Sequence, residues 1–349
     1  MKQKFDILVI NNAPAFYKIN LYNELAKKCS IHVVFLALTD QVVIGDNYKH
    51  EIRFSFEILY ENHIDFRNKY LSFFKLYSIC RKYNFKKIIY GGYDTFECFF
   101  LPFFTDWEKN CIQFESSIKE SKVTGYISII KRILLRRFSI ALPSAKLQSA
   151  VFVALNFRGK IIETTGVGIF YKTNIDCNKI NTFQSQRRYL YVGRLINVKN
   201  VNLLIETFNC LNKPLTIVGA GELEYDLKQK ANKNITFSGF VPNEDINKWY
   251  LNHDVFILPS FVEPWGLVVE EAIYFGLPVI VSEAVGCLEE IVIKPNTGLL
   301  FSPYNQASLV EAIDKVESNY DLYKSNCLKY DFEKRDLIQL ESYLQILNQ

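Results

Sequence analysis

The stretch from Asn252 to Gly286 constrains the fold more strongly than any other part of the sequence. The apolar run over 254–259 is short and ends in proline, which is typical of a buried strand. A loop, SFVEPWG, follows, and then a predicted helix over 267–275 and a second apolar run over 278–282. Strand, loop, helix and strand make a βαβ unit, in which the carboxyl ends of the parallel strands border a crevice for ligands. The stretch therefore predicts a parallel α/β domain with a ligand site at this edge.

Two glutamates of this stretch are placed to reach that crevice. Seven residues separate Glu263, in the loop, from Glu271, on the predicted helix. The backbone N–H groups of Gly266 and Leu267 at the helix N-terminus favour an anion, and carboxylates can hold the hydroxyls of a sugar. A solvated helix position explains Glu270, but it does not explain a carboxylate in a loop directly after a strand. We therefore predict that Glu263 and Glu271 bind a ligand.

The spacing of these two glutamates, followed by AIYFGLPVIVS, resembles the signature of the retaining glycosyltransferase family 4, which has the GT-B fold. The resemblance is close over about 187–301 and only general over 1–186. It implies two Rossmann-like, doubly wound α/β domains that face a central cleft, with a C-terminal helix crossing back to the first domain. The implied bounds are 1–165 plus 331–349 for an acceptor-binding domain, 166–186 for a linker and 187–330 for a donor-binding domain.

Length and composition agree with a two-domain globular protein. The chain has 349 residues, 49% of them hydrophobic and 22% charged, and its net charge of +4 is too small to argue for nucleic acid. Its eight cysteines form no CxxC pair and show no metal-ligand spacing, so reduced thiols in the cytoplasm are expected. The first apolar run is too short for a signal peptide, and no uncharged apolar stretch reaches membrane-spanning length. We expect a cytoplasmic protein, with contact to the inner face of the membrane left open.

The first half of the chain alternates predicted strands with predicted helices, which indicates a doubly wound α/β domain. The predicted strands are 5–10, 31–38, 52–59, 87–90, 111–115, 139–145 and 161–164, and the predicted helices are 17–28, 67–83 and 146–157.

Members of the resembled family usually carry a glycine-rich loop after the first strand, which lets the backbone approach the donor phosphates. Here the loop 11–15, NNAPA, has no glycine, so a phosphate contact from it is not expected. Asn11 and Asn12 have two interpretations, a hydrogen bond to a sugar or a role in forming the turn. Gly92 follows another strand and would face the same cleft.

Glu115 ends a predicted strand and would also face the cleft, where it is a candidate general base for the acceptor hydroxyl. The alternative assigns this segment to helix capping by Ser116 or Ser117.

The second half opens with a strand over 189–192, followed by Gly193 and Arg194, with Lys199 just before a predicted helix over 201–210. An arginine and a lysine near a helix N-terminus form an anion site. The resemblance implies that they contact the donor diphosphate in place of a metal, and the sequence has no D-x-D pair to hold Mg²⁺. Two solvated surface cations are the alternative.

The resemblance implies roles for the remaining residues of this half. Glu271 would bind the ribose hydroxyls, and Glu263 would bind the donor sugar and stabilise positive charge at its anomeric carbon. Gly266 and Leu267 would help to hold the phosphates. The residues expected to lie along the nucleotide through their backbone are Gly193, Gly219, Gly221, Gly239, Phe240 and Val241.

Residues 118–137 carry six Lys or Arg against one acid, a local net charge of +5, with apolar residues interleaved at helical spacing. A basic amphipathic helix of this kind can lie on an anionic membrane. An ordinary domain helix with a solvated basic face is the alternative.

The resemblance, together with these residues, implies a retaining, metal-independent glycosyltransferase that uses a nucleoside-diphosphate sugar, with UDP favoured. The acceptor would be a saccharide used in surface polysaccharide or glycoconjugate synthesis. We favour the interpretation that it is lipid-linked. Two alternatives stay open: a nucleotide-sugar epimerase of the same fold, and a non-catalytic nucleotide-sugar-binding subunit. A glycosidase with paired carboxylates is less well supported, because Arg194 and Lys199 would then have no phosphate to bind.

Overall fold

The computed structural model describes residues 2–39, 48–170, 172, 186–243 and 245–349. The chain divides into two compact units, the first made of Met1–Tyr171 with Glu333–Gln349 and the second of Lys172–Phe332. Most of the linker predicted for 166–186 lies outside the described residues. Each unit contains one parallel sheet, so the predicted doubly wound α/β class is confirmed for both.

The first sheet has seven strands. They are β1 Lys4–Asn11, β2 Ile31–Phe35, β3 Ser55–Ile58, β4 Asn84–Tyr90, β5 Asn110–Phe114, β6 Ile140–Pro143 and β7 Lys160–Ile161. Their order in space is β3-β2-β1-β4-β5-β6-β7, and every neighbouring pair is parallel. The order reverses between β1 and β4, and such a reversal is where open α/β sheets bind ligands.

Seven α-helices belong to the described part of the first unit. They are α1 Phe16–Ala26, α2 Tyr48–Glu51, α3 Lys69–Lys82, α4 Phe96–Phe100, α5 Gly125–Leu135, α6 Lys146–Ala154 and, from the end of the chain, α13 Phe332–Gln345. Helix α5 is shorter than the basic segment 118–137. It begins at Gly125, whose φ of +68° is left-handed, so the helix cannot run back through this residue.

The side chains of β1 point alternately to the two faces of the sheet, and helices cover both faces. Ile7 and Val9 point into a core that includes Tyr22 of α1 and Tyr343 of α13. The intervening residues of β1 point into a second core, formed with α3, α5, α6 and the segment around α4. Both sheet faces are therefore covered, which explains why β1 and β2 read as continuous apolar runs rather than alternating ones.

The second sheet has six strands, in the order β10-β9-β8-β11-β12-β13, again all parallel. They are β8 Tyr189–Val192, β9 Leu215–Val218, β10 Ile235–Gly239, β11 Val255–Leu258, β12 Val279–Ser282 and β13 Gly298–Phe301. Its helices are α7 Val201–Leu211, α8 Glu224–Lys230, α9 Asn247–Leu251, α10 Leu267–Tyr274, α11 Gln306–Ser318 and α12 Tyr320–Lys329.

The βαβ unit predicted around 252–286 is present as β11, α10 and β12, with ends that differ from the prediction by a residue. The sequence analysis missed α2, α4 and α12 and assigned four residues to the last strand of the first unit, where β7 has two. In the second sheet the order reverses between β8 and β11, so the loops after these two strands meet at the switch point.

Candidate functional site

The candidate site of the second unit is built on the loops that leave β8 and β11. The backbone joins these loops, because the Phe261 N–H donates to the carbonyl of Val198 at 2.8 Å. The loop after β11 is fixed on its other side as well, where the Gly286 N–H donates to the Glu263 carbonyl at 2.9 Å. Both strands are short, parallel and buried, so side chains in these loops project past the carboxyl edge of the sheet.

Lys199 and Glu263 form an ion pair at this edge. The Lys199 Nζ donates to Glu263 Oε2, with 15% of the lysine side chain and 12% of the glutamate side chain exposed. The Ser260 hydroxyl approaches the same oxygen at 3.5 Å. The structure thus brings together two residues that the sequence analysis placed in the site separately.

The buried Tyr191 is a further residue near Arg194 and Glu263. Its hydroxyl donates to the Arg194 carbonyl at 3.0 Å. Burial raises the pKa of Tyr191 above its usual value, the charge of Glu263 raises it further, and the charge of Arg194 opposes both. Both charged groups therefore lie near one buried hydroxyl. Sequence reasoning missed Tyr191, because an aromatic residue within a strand is usually part of the core.

The predicted glycines pack backbone against backbone at the ends of β8, β9 and β10. A Cβ on Gly219, where φ is +134°, would lie 2.0 Å from the Gly193 carbonyl oxygen. A Cβ on Gly221 would lie 2.4 Å from the carbonyl oxygen of Leu195. The Gly219 N–H donates to the Gly239 carbonyl at 2.9 Å. Glycine is thus required here for the fold itself, whatever binds beside it.

Gly239 ends β10 with a φ of +74°, and Phe240 and Val241 follow in a loop. The Phe240 ring is exposed at this carboxyl edge, which leaves an aromatic surface next to the backbone groups predicted to face a base.

Helix α10 starts directly after a left-handed glycine. Gly266 has a φ of +98°, and a Cβ there would meet a methyl group of Val285 at 3.0 Å. Leu267 is the first helical residue, as predicted. The N-terminus of α10 therefore lies a few residues after Glu263, and its backbone N–H groups and dipole favour negative charge.

Glu271 has an unusual environment. Burial raises the pKa of its carboxyl to about 7, and the neighbouring Glu270 adds to this, although a hydrogen bond from Tyr250 opposes it. The Tyr250 hydroxyl donates to Glu271 Oε2 at 2.8 Å, and its ring stacks on Phe275 with centroids 5.3 Å apart. One carboxylate oxygen is thus held by the protein in a fixed orientation. Tyr250 was not predicted.

The interpretation of Glu270 as a solvated residue was wrong. Its side chain is fully buried, and the indole Nε1 of Trp265 donates to Glu270 Oε1 at 2.5 Å. Glu270 lies on the inner face of α10, where the bond to Trp265 ties the helix to the loop that carries Glu263. The three acids of this stretch therefore have three different environments.

The first unit has its own polar cluster at the end of β1. Asn11 is buried, and its Nδ2 donates to the Tyr22 hydroxyl at 2.9 Å while its Oδ1 accepts from the Asn12 N–H at 2.8 Å. Gly91 rather than Gly92 packs against it, because a Cβ on Gly91 would lie 3.1 Å from Asn11 Oδ1. The Asn11 side chain thus shapes the turn.

Glu115 lies at the end of β5, as predicted, and pairs with a residue that the sequence analysis missed. The Lys18 Nζ of α1 donates to Glu115 Oε1, and the lysine side chain is almost completely buried. Gln113 Nε2 approaches the same oxygen at 3.3 Å. About a third of the Glu115 side chain stays exposed, at 34%. Helical spacing with Tyr22, on the buried face of α1, was the available signal for Lys18.

The described residues also bear on a metal site and on a membrane span. Within that part of the chain, no three His, Cys, Asp or Glu side chains are close enough to share a metal ion. His253 has a structural role: its two ring nitrogens lie 2.6 Å from the Trp249 carbonyl and 2.8 Å from the Thr216 hydroxyl. No helix in the described ranges is both long and apolar enough to cross a bilayer.

Relatives of known sequence match less than half of this chain. An uncharacterized glycosyltransferase of Methanocaldococcus jannaschii is 31% identical over 167 residues, which cover 44% of this chain and 43% of that protein. The putative teichuronic acid biosynthesis glycosyltransferase TuaC of Bacillus subtilis is 33% identical over 159 residues, 43% of this chain and 40% of its own length. The chain thus spans less than half the length of either relative.

Solved structures resemble nearly the whole chain. Sucrose-phosphate synthase of Thermosynechococcus elongatus matches 98% of it and 99% of its own chain, with a TM-score of 0.71 and 17% identity. HepE of Anabaena, solved in complex with UDP, matches 98% of this chain and 97% of its own, with a TM-score of 0.66 and 14% identity. The fold of the two units is that of the GT-B class. Residues 173–329, which make up nearly all of the second unit, match the family described as glycosyl transferases group 1.

Proposed function

We propose that this protein is a retaining glycosyltransferase that moves a sugar from a nucleoside-diphosphate sugar to a hydroxyl of a saccharide acceptor. The observation that carries the proposal is the Lys199–Glu263 pair at the switch point of a glycosyl transferases group 1 domain. A cation and a carboxylate at this edge match the two ends of such a donor, its diphosphate and its sugar.

The diphosphate would be held by charge and by backbone groups. Arg194 and Lys199 together carry two positive charges against one negative charge on Glu263. The net positive charge, with the N-terminus of α10 close by, stabilises a diphosphate and the charge that develops on it as the bond to the sugar breaks. We propose that these groups do the work of a divalent cation, so that transfer needs no metal.

The donor sugar and its ribose would be held by the two glutamates of the original motif. Glu263, oriented by Lys199 and Ser260, would accept hydrogen bonds from sugar hydroxyls and stabilise positive charge at the anomeric carbon. Glu271 has one oxygen bound to Tyr250, which leaves the other to accept from the ribose. We favour UDP as the carrier, because HepE, a structural neighbour, was solved with UDP.

The acceptor side of the proposal rests on Glu115. The buried ammonium group of Lys18 pairs with this carboxylate, and Gln113 approaches the same oxygen, so the two restrict its orientation. A carboxylate that is fixed in this way and still partly exposed is suited to position an acceptor hydroxyl or to take its proton. We propose that the acceptor is a lipid-linked saccharide in surface polysaccharide synthesis. The polysaccharide part of this proposal is supported by the relative TuaC, which is named for teichuronic acid biosynthesis.

Donor binding and product analysis test the proposal together. In a thermal-shift panel of UDP-, GDP- and ADP-sugars, one donor should raise the melting temperature in the presence of EDTA, since a ligand that binds only the folded protein stabilises it. With that donor, nucleoside diphosphate should be released only when a saccharide acceptor is present. The glycosylated product should keep the donor's anomeric configuration. An epimerised sugar without acceptor would identify an epimerase. Donor binding without any turnover would identify a binding subunit.

A further inference from the structure

The solvent side of the helices on one face of the first sheet is apolar to an unusual degree. Helices α3, α5 and α6 and the segment around α4 all pack into one core cluster, so they lie on the same face. Of the 23 exposed large hydrophobic side chains in the described parts of the chain, 13 lie on these helices or the segments beside them, between residues 66 and 153. We name their solvent side the outer helical face. A monomeric soluble protein rarely exposes so many apolar groups on one side.

Aromatic rings make up one half of the outer helical face. Tyr70 and Phe74 of α3 are 59% and 64% exposed, and Phe104 after α4 is similarly open. Ring contacts join the two elements, because Phe73 lies 5.5 Å from Phe104 and Tyr70 lies 5.1 Å from Phe96, centroid to centroid. The exposed rings thus belong to one continuous layer.

Helix α5 supplies the other half. Its residues Leu134 and Leu135 are buried, yet three of its isoleucines are exposed: Ile129, Ile130 and Ile133. Arg132 and Arg136 are exposed among them, and the helix Gly125–Leu135 contains no acidic residue. An apolar surface with interspersed cations and no acids fits the boundary between lipid headgroups and acyl chains better than it fits water.

Two cation–aromatic contacts join the halves. The Arg137 guanidinium, just after α5, lies 5.8 Å from the Phe103 ring centroid, and its Nε donates to the Pro102 carbonyl at 3.3 Å. The Lys131 ammonium lies 5.4 Å from the ring centroid of Tyr93, before α4. The basic groups of α5 therefore border the aromatic layer.

We propose that the outer helical face docks this protein onto an anionic lipid bilayer, with the rings and isoleucines at the level of the headgroups and the arginines on lipid phosphates. The surface is wider than the basic segment 118–137, because most of its aromatic groups come from α3 and α4. The positive charge of the outer helical face favours an anionic bilayer over a second copy of the chain. Two such faces, each with the +5 segment, would repel one another. The proposal does not depend on the reaction catalysed.

Co-sedimentation of the full chain with vesicles tests the docking. Binding to vesicles of equal parts phosphatidylcholine and phosphatidylglycerol should be at least about tenfold tighter than to phosphatidylcholine alone, since each basic residue at an anionic surface contributes roughly fivefold. Leu71 of α3 is also about half exposed. Leu71→Ser/Phe74→Ser/Phe104→Ser and Arg132→Glu/Arg136→Glu should each lose most of this binding. Matched changes at exposed positions of the second unit, Tyr225→Ser/Tyr304→Ser and Lys233→Glu/Lys329→Glu, should not.

Tryptophan quenching supplies a readout that requires no destabilising change. Trp107 is about half exposed beside the outer helical face, and the other two tryptophans, Trp249 and Trp265, belong to the second unit. Brominated lipids in anionic vesicles should quench the wild-type emission, and Trp107→Phe should remove most of that quenching. Absent quenching, equal binding by all variants, or self-association that the serine variant abolishes would each overturn the proposal.

Discussion

The ammonium of Lys199 and the carboxylate of Glu263 are paired although they lie 64 positions apart in the chain. Each comes from a loop after a different strand, β8 for the lysine and β11 for the glutamate, and the strands are neighbours in the sheet. The pair keeps one negative and one positive charge at the switch point before any ligand arrives. A donor would therefore meet groups that are already oriented, which lowers the cost of organising the site.

The pair can be tested by a double-mutant cycle. Lys199→Met and Glu263→Gln should each lower kcat/KM by at least about a hundredfold, since each removes a group that acts on charge in the transition state. Each should also destabilise the fold by roughly 1–3 kcal/mol, because one partner is left without its counterion. The double variant should lose less stability than the sum of the two. Strict additivity in urea denaturation would show that the pair is not coupled.

Glu271 should make stability depend on pH in a direction opposite to that of most carboxylates. Its folded pKa of about 7 is raised above the usual 4.5, so the folded protein holds this proton more tightly than the unfolded chain. The free energy of unfolding should fall as pH rises from about 4.5 to 7, by up to roughly 3 kcal/mol from this group.

Glu271→Gln should abolish that part of the pH dependence, measured by urea denaturation across this range. Exposed Glu206 on α7 offers a control, because Glu206→Gln makes the same change in charge and should leave the profile unchanged. In the wild type, donor affinity should increase as pH rises through 7, since the ionised carboxyl is the better acceptor for ribose hydroxyls. If the free energy of unfolding depended on pH identically in the wild type and in Glu271→Gln, the Glu271 carboxyl would have an ordinary pKa.

Gly219 should be required for folding rather than for ligand binding alone. Gly219→Ala places a methyl group 2.0 Å from the Gly193 carbonyl oxygen in an unfavourable backbone conformation, so we expect a loss of more than about 3 kcal/mol. Gly239→Ala is the matched control, since its φ of +74° is also left-handed but its Cβ would meet nothing within 4 Å. It should cost only about 1–2 kcal/mol, the usual penalty for that conformation. Equal urea midpoints for the two variants would contradict the packing argument.

Lys18 should affect turnover through Glu115. Glu115→Gln should reduce kcat by about a hundredfold or more if this carboxylate takes the acceptor proton, with little change in donor KM. Lys18→Met should lower kcat with little change in donor KM, because Glu115 loses the ion-pair partner that fixes its orientation. A purely structural lysine would change stability and leave kcat unchanged. Near-normal turnover of Glu115→Gln would remove Glu115 from the mechanism.

Several parts of the site were predictable because they depend on local chemistry. The run Val255–Leu258 is followed by proline, and α10 starts directly after Gly266, so residue types alone marked both positions. The same proline and glycine residues placed Glu263 in the loop that follows a strand. Glu270 shows the limit of this reasoning. Glu270 and Glu271 are adjacent acids of α10, and only the orientation of the helix in the fold decides what surrounds each side chain.

The sequence by itself determined the parallel α/β class, most of the strands and helices, and the loops that carry Arg194, Lys199 and Glu263. Only the tertiary structure decided that Lys199 binds Glu263, that Lys18 binds Glu115, and that Tyr250 and Trp265 hold Glu271 and Glu270. The reason is physical. Periodicity and turn chemistry act over a few residues and can be read along the chain, whereas charge pairing and burial depend on strand order, which brings distant residues within hydrogen-bond distance.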